Sequence, residues 1–185
     1  AGADAASGGI KLGDDPETAA AVTKLVPLTS QGILFGVPAI NARLFRRSFL
    51  WRIGNFRTDI GLGADRELML RAVRHGMQGT FIGQPVSFYR VHTGSHTISN
   101  DLPGRKRIYE SDFELARALL SDPNLSSRDA SEARAFLAMS RFKWRRLSKV
   151  DRSMRNGDVP VPTSGADFVR GIARYVRWRG VVSGC

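Results

Sequence analysis

At 185 residues, with 42% hydrophobic and 24% charged residues, the chain has the length and balance of a soluble globular protein with one real core plus appendages, which excludes wholesale disorder. Its single cysteine is the terminal Cys185, which excludes an intramolecular disulfide and a multi-cysteine metal site and fits a reducing compartment. The net charge of +11 is uneven, since residues 1–100 carry 11 Lys+Arg against 7 acids, 101–140 carry 6 against 7, and 141–185 carry 11 against 3. The basic excess therefore belongs mostly to the tail, where it suits nucleic acid, an anionic membrane surface or phosphorylated substrates.

Ala1 to Gly9 lacks the basic and apolar regions of a signal peptide, and no apolar run approaches the ~20 residues of a membrane span. The missing initiator Met points to a truncated chain rather than to export. Ala1 to Thr23 is rich in Ala, Gly and Asp without a period and reads as a loop or a cut edge. Ile33-Leu34-Phe35 and Val37 before Pro38 read as a short buried strand, and Ala42 to Arg52, carrying Leu44, Phe45 and Leu50, reads as a helix. Gly54 and Gly61-Leu62-Gly63 mark turns. Asp65 to Gly76 predicts a helix with Leu68, Leu70, Ala72 and Val73 apolar, closed by Gly76. Phe81-Ile82 and Val86 to Val91 predict short strands broken by Gly83-Gln84-Pro85. The alternation predicts an α/β fold over residues 24–100.

Residues 101–150 read as a helical extension. Helices over Arg105 to Leu120 and Ser127 to Val150 are separated by the turn Ser121-Asp122-Pro123-Asn124. Ile108, Phe113, Ala116 and Leu120 recur at helical spacing, as do Ala135, Phe136, Met139 and Phe142. Residues 151–185 read as a linker and a basic amphipathic helix. That last helix starts at Ser164, with Phe168, Ile172, Tyr175 and Val176 on one face and Arg170, Arg174 and Arg177 on another.

Chemistry concentrates between Gly54 and Ser99. Ile53-Gly54-Asn55-Phe56 is followed by Ala64-Asp65-Arg66-Glu67-Leu68-Met69-Leu70-Arg71, then Gly76, then Pro85-Val86-Ser87-Phe88-Tyr89-Arg90-Val91-His92-Thr93-Gly94-Ser95-His96-Thr97. In this order the segments resemble the acceptor-side, C-terminal part of glycosyltransferase family 2, whose members are inverting enzymes of the GT-A (Rossmann-like) fold. The resemblance covers about a quarter of the chain strongly and Leu34 to Phe49 more loosely. It implies a partial GT-A domain lacking its N-terminal nucleotide-binding half, followed by a helical C-terminal extension.

The resemblance gives Asp65 the role of general base. Transfer of a sugar to an alcohol needs a base beside the acceptor hydroxyl, and a carboxylate at a helix N-terminus is fixed in place and kept ionised by the helix dipole. Ala64 stands where many members carry Glu. The competing reading of Asp65 is a helix N-cap or first-turn residue. Glu67 reads as a first-turn charge and Arg71 as one member of a structural ion pair. Tyr89 to His96 ends a strand and enters a polar loop whose cations and imidazoles suit a pyrophosphate leaving group. There the resemblance makes His92 the candidate ligand of a divalent cation, Mg2+ or Mn2+, or a diphosphate contact, with Arg90, Ser95 and His96 as substrate-binding residues. The competing reading of His92 is an ordinary loop histidine, and His75 reads as a helix C-terminal cation.

Family members hold the metal mainly with a strand-terminal DXD motif in the half that is absent here. Asp14-Asp15 lies too near Asp65 in sequence for that motif and follows no apolar strand. The chain is thus expected to be a fragment without transferase activity of its own. Its expected partners are a nucleotide-sugar donor and a glycan or lipid-linked hydroxyl acceptor. Its expected place is the cytoplasm, with peripheral contact at the inner face of the membrane through the last helix. The alternative function is a basic non-catalytic module, nucleic-acid-binding or structural. Its support is the pI near 10.9 and Phe142-Lys143-Trp144-Arg145-Arg146, where aromatics interleave with cations.

Overall fold

In a computed structural model, residues 2–22, 27–90 and 102–150 are described, and the chain divides into two compact units, Ala1–Ser99 and Asn100–Cys185. The first unit is α/β. Its sheet is built on β1 (Ala5–Gly13), the very segment that reads as a loop or cut edge in the sequence. One edge of β1 takes β4 (Gly79–Arg90) in parallel; the other takes β3 (Arg43–Phe45) and β2 (Ala20–Val22), both antiparallel. The strand escapes sequence reading because Ala-Ala-Ser-Gly-Gly offers no apolar alternation. Ala5, Ser7, Gly8, Gly9 and Ile10 are nonetheless buried, and small residues let the neighbouring strands approach closely. A Cβ on Gly8 would lie 2.4 Å from Val86 Cγ1 and 2.7 Å from the Gln84 carbonyl oxygen.

β4 is one strand where the sequence predicts two. Ser7 pairs with Phe81, Gly9 with Pro85 and Ile10 with Ser87, so β4 carries the extra residues of a bulge. Gly83 takes a left-handed φ of 78° inside it. Pro85, which has no N–H to give the ladder, falls at this irregularity, where the ladder tolerates it.

Between the parallel strands come α1 (Ser30–Phe35), a 3-10 turn at Ile40–Ala42, β3, α2 (Arg47–Ile53) and α3 (Ala64–Arg74). Ile33 to Phe35 is buried, as the sequence suggests, but helical rather than extended. A short apolar run does not distinguish the two. Thr29 decides it, since its Oγ1 accepts the Gly32 N–H at 3.0 Å and caps the first turn. The helix expected over Ala42 to Arg52 is half strand, because Arg43 to Phe45 pair with Ser7 to Ala5 before α2 begins. Gly54 closes α2 with φ 91°, and Gly76 follows the His75 cap of α3 with φ 70°, the left-handed geometry that glycine adopts at low cost. Asp4 anchors the start of β1, bonding Gln78 through backbone and side chain and accepting the Arg46 N–H on its carbonyl.

In the second unit, α4 (Leu102–Leu120) and α5 (Ser127–Val150) pack against each other. Phe113, Leu115 and Ala116 of α4 and Ala133, Ala135, Phe136 and Met139 of α5 are buried. The turn between them is held by Asp122, whose carboxylate accepts the Asn124 N–H at 2.9 Å. Ser126 Oγ then accepts the Asp129 N–H at 3.1 Å and caps α5. Trp144 is buried with the Lys106 ammonium 5.8 Å from its ring. Among the described residues, no helix is long and apolar enough to cross a membrane.

Candidate functional site

The start of α3 is assembled from three consecutive turns of chain. Gly63 is the N-cap and supplies no side-chain cap; its carbonyl accepts the Glu67 N–H at 2.9 Å, and the Ala64 N–H reaches the Gly61 carbonyl at 3.1 Å. Two arginines fix this end to its surroundings. Arg66 donates to the Ile33 carbonyl (3.1 Å) and the Gly36 carbonyl (3.0 Å), satisfying acceptors at the end of α1. Arg71 grips the Glu67 carboxylate with two N–H···O bonds of 2.9 and 2.7 Å and also donates to the carbonyls of Ile53, the last residue of α2, and of Asn55 just beyond it. Arg71 is thus in an ion pair, as the sequence suggests, and its partner is the first-turn charge Glu67.

Asp65, in the same first turn, is treated differently. It does not cap α3, and among the described residues its carboxylate makes no hydrogen bond and no close ion pair. The residue is exposed, yet the protein mass around the carboxyl raises its pKa above the ordinary value by desolvation, with the charge of Arg66 pulling the other way. An accessible carboxylate of raised proton affinity, unspent on structure, is what a general base requires. Arg66 reads only as a polar helix position in the sequence, and no local signal shows that it ties α3 to α1.

Arg90 ends β4, exposed, with Gly13 as its Cα partner on β1. Asp14 and Asp15 follow Gly13 directly, so they come at the end of β1, a strand where the sequence reads as a loop. The two parallel strands bring them to the same end of the sheet as Arg90. Asp15 spends one carboxylate oxygen on the Glu17 N–H at 3.0 Å. Asp65 and Arg90 share no hydrogen bond or ion pair. His92, Ser95 and His96 lie outside the described residues, as does the segment from Ser164 for which the sequence predicts a basic helix. Among the described residues, no group of three or more His, Cys, Asp or Glu side chains could hold a metal ion, so no ligand set for a divalent cation is assembled from them. His75 is the exposed C-cap of α3.

Sequence reasoning passes over Arg43 altogether. It is 7% exposed, donates to Ser7 Oγ at 2.6 Å and to the Pro38 carbonyl at 3.1 Å, and is held below the ordinary arginine pKa by burial. It pins β3 to β1.

No protein-family model, curated protein or solved structure matches this chain.

Proposed function

We propose that residues 24–100 are the acceptor-side part of an inverting GT-A glycosyltransferase of family 2, with Asp65 as general base. The observation that carries this reading is the free carboxylate of Asp65: it sits in a helix start whose other charges, Arg66, Glu67 and Arg71, are all engaged. In the reaction, Asp65 takes the proton of the acceptor hydroxyl as that oxygen attacks the anomeric carbon. The bond from that carbon to the nucleoside diphosphate breaks on the opposite face, and the configuration inverts. Arg90, with Ser95 and His96, would meet the departing diphosphate by charge-assisted hydrogen bonds. A divalent cation would add charge neutralisation at the same phosphates. His92 and carboxylates of the donor half would hold it.

A second feature supports the reading. Among the described residues the outer edge of β4 has no partner strand, and Phe81, Ile82 and Val86 on that strand are 47–51% exposed. An uncovered apolar edge is a place where a sheet continues, and a nucleotide-binding half would continue it. The acceptor is a hydroxyl of a glycan or a lipid-linked sugar, met in the cytoplasm at the inner membrane face.

The test begins with the reading frame upstream of the codon for Ala1. We expect an encoded donor-binding half with apolar strands and a strand-terminal carboxylate motif; a stop codon directly upstream would overturn the reading. In that longer polypeptide, Asp65→Asn should lower kcat for sugar transfer by roughly 10²–10⁴-fold, the usual share of a positioned base, with little change in donor KM. Full activity in the variant would remove Asp65 from the mechanism.

A further inference from the structure

Arg141 is a buried cation on the α4–α5 hairpin. It is 7% exposed, and its Nε–H has no hydrogen-bond partner among the described residues. Charged side chains so deeply buried are nearly always paired. Its surroundings make the position less comfortable still, for burial first, then the charges of Arg117 and of Arg145, hold its guanidinium below the ordinary arginine pKa. Arg145 lies one turn along α5, about 6 Å by helical rise, and Arg117 on the packed α4 is near enough for its charge to act on Arg141. Both are exposed. The hairpin acids are arranged otherwise. Asp112 faces Ser140 Oγ at 3.5 Å, Glu132 lies nine residues back along α5, about 13 Å by rise, and Glu114 is exposed on α4. Three arginines from two helices thus act on one another, one of them buried and missing an acceptor, and among the described residues none of the three is in an ion pair.

We propose that Arg117, Arg141 and Arg145 form a binding site for a phosphate group. A phosphate offers oxygens in several directions and about two negative charges, so it can accept from guanidinium forks arriving from both helices. It would supply the acceptor that Arg141 Nε lacks and cancel the repulsion among the three cations. The group belongs either to a soluble phosphate or diphosphate or to the headgroup of an anionic lipid.

The probes are inorganic phosphate and pyrophosphate, titrated calorimetrically into the full chain against sodium chloride of matched ionic strength. Saturable binding is expected for the wild type, weakened at least about tenfold in Arg141→Met and in the double variant Arg117→Gln/Arg145→Gln. The double variant alters only exposed side chains and carries the test should Arg141→Met not fold. Without anion, Arg141→Met should melt at or above the wild-type temperature, because it removes an unpaired buried charge. Phosphate should raise the wild-type Tm and leave the variant's unchanged. Recruitment to phosphatidylcholine vesicles doped with phosphatidic acid, lost in the same variants, assigns the phosphate to a lipid; binding of free phosphate without recruitment assigns it to a soluble ligand. Phosphate acting no better than chloride, variants that bind as well as wild type, or binding confined to duplex DNA would each overturn the proposal.

Discussion

The α4–α5 hairpin and strand β1 of the first unit are buried in opposite ways. In the α4–α5 hairpin, buried side chains recur at three- and four-residue spacing on two adjacent helices, and Phe136, Ala116 and Phe113 make a core from neighbours in sequence. In the first unit the central strand opens on Ala-Ala-Ser-Gly-Gly, its principal partner β4 begins 66 residues after β1 ends (Gly13 to Gly79), and most of β4 is exposed. The hairpin is stabilised by large apolar side chains and β1 by close backbone approach, while Phe49, Ile33, Leu34, Leu68 and Met69 are fully buried elsewhere in the first unit. The difference teaches that burial and legibility are separate things: β1 is as buried as α5 but carries no hydrophobic pattern.

The sharpest way to test that contrast is to remove volume from one unit and add it to the other. Phe136 is 1% exposed, so Phe136→Ala should cost about 3–5 kcal/mol, the usual loss for a buried phenylalanine including its cavity. It is read as a drop in the urea midpoint of the hairpin's helical signal. Smaller, and opposite in kind, is Gly8→Ala. The added methyl would press on Val86 Cγ1 and on the Gln84 carbonyl, and overpacking of this sort costs about 1–3 kcal/mol. Combining it with Val86→Ala should recover part of that loss, since the two sites are in contact and their effects do not add. A Gly8→Ala protein as stable as wild type would mean that β4 does not lie against β1 there.

The same contrast explains what was legible. α3, α4 and α5 were readable because amphipathic periodicity is local, and the Gly54 and Gly76 closures because a left-handed residue after a helix favours glycine. α1 reads as a strand in the sequence, since Ile33-Leu34-Phe35 is too short an apolar run to show a period and the deciding contact is the Thr29 cap. Thr29→Ala should therefore lower stability by about 1 kcal/mol, while Thr29→Ser, which keeps the oxygen, should cost less. At the candidate site, Asp65 was legible from the motif around it. What the sequence could not show is that Arg66 and Arg71 turn outward to α1 and α2 and leave Asp65 alone, because both bonds cross to carbonyls 16–33 residues away.

The smallest stability effect belongs to Asp65 itself, and its sign separates a functional carboxylate from a structural one. Its pKa is raised in the folded protein, so the folded state binds the proton more tightly than the unfolded chain does. The ionised group therefore opposes folding once the pH passes the folded value, and this opposition disappears below the unfolded carboxylate range. Asp65→Asn removes the ionisation. The variant should match the wild type in stability at acid pH and equal or slightly exceed it near neutrality, measured as urea midpoints across that range. A helix cap or an ion-pair partner would give the reverse, with stability lost near neutrality because a useful charge had been taken away. A neutral-pH loss in Asp65→Asn would place Asp65 beside Glu67 among the residues that hold α3 in position. A gain would leave its carboxylate for chemistry.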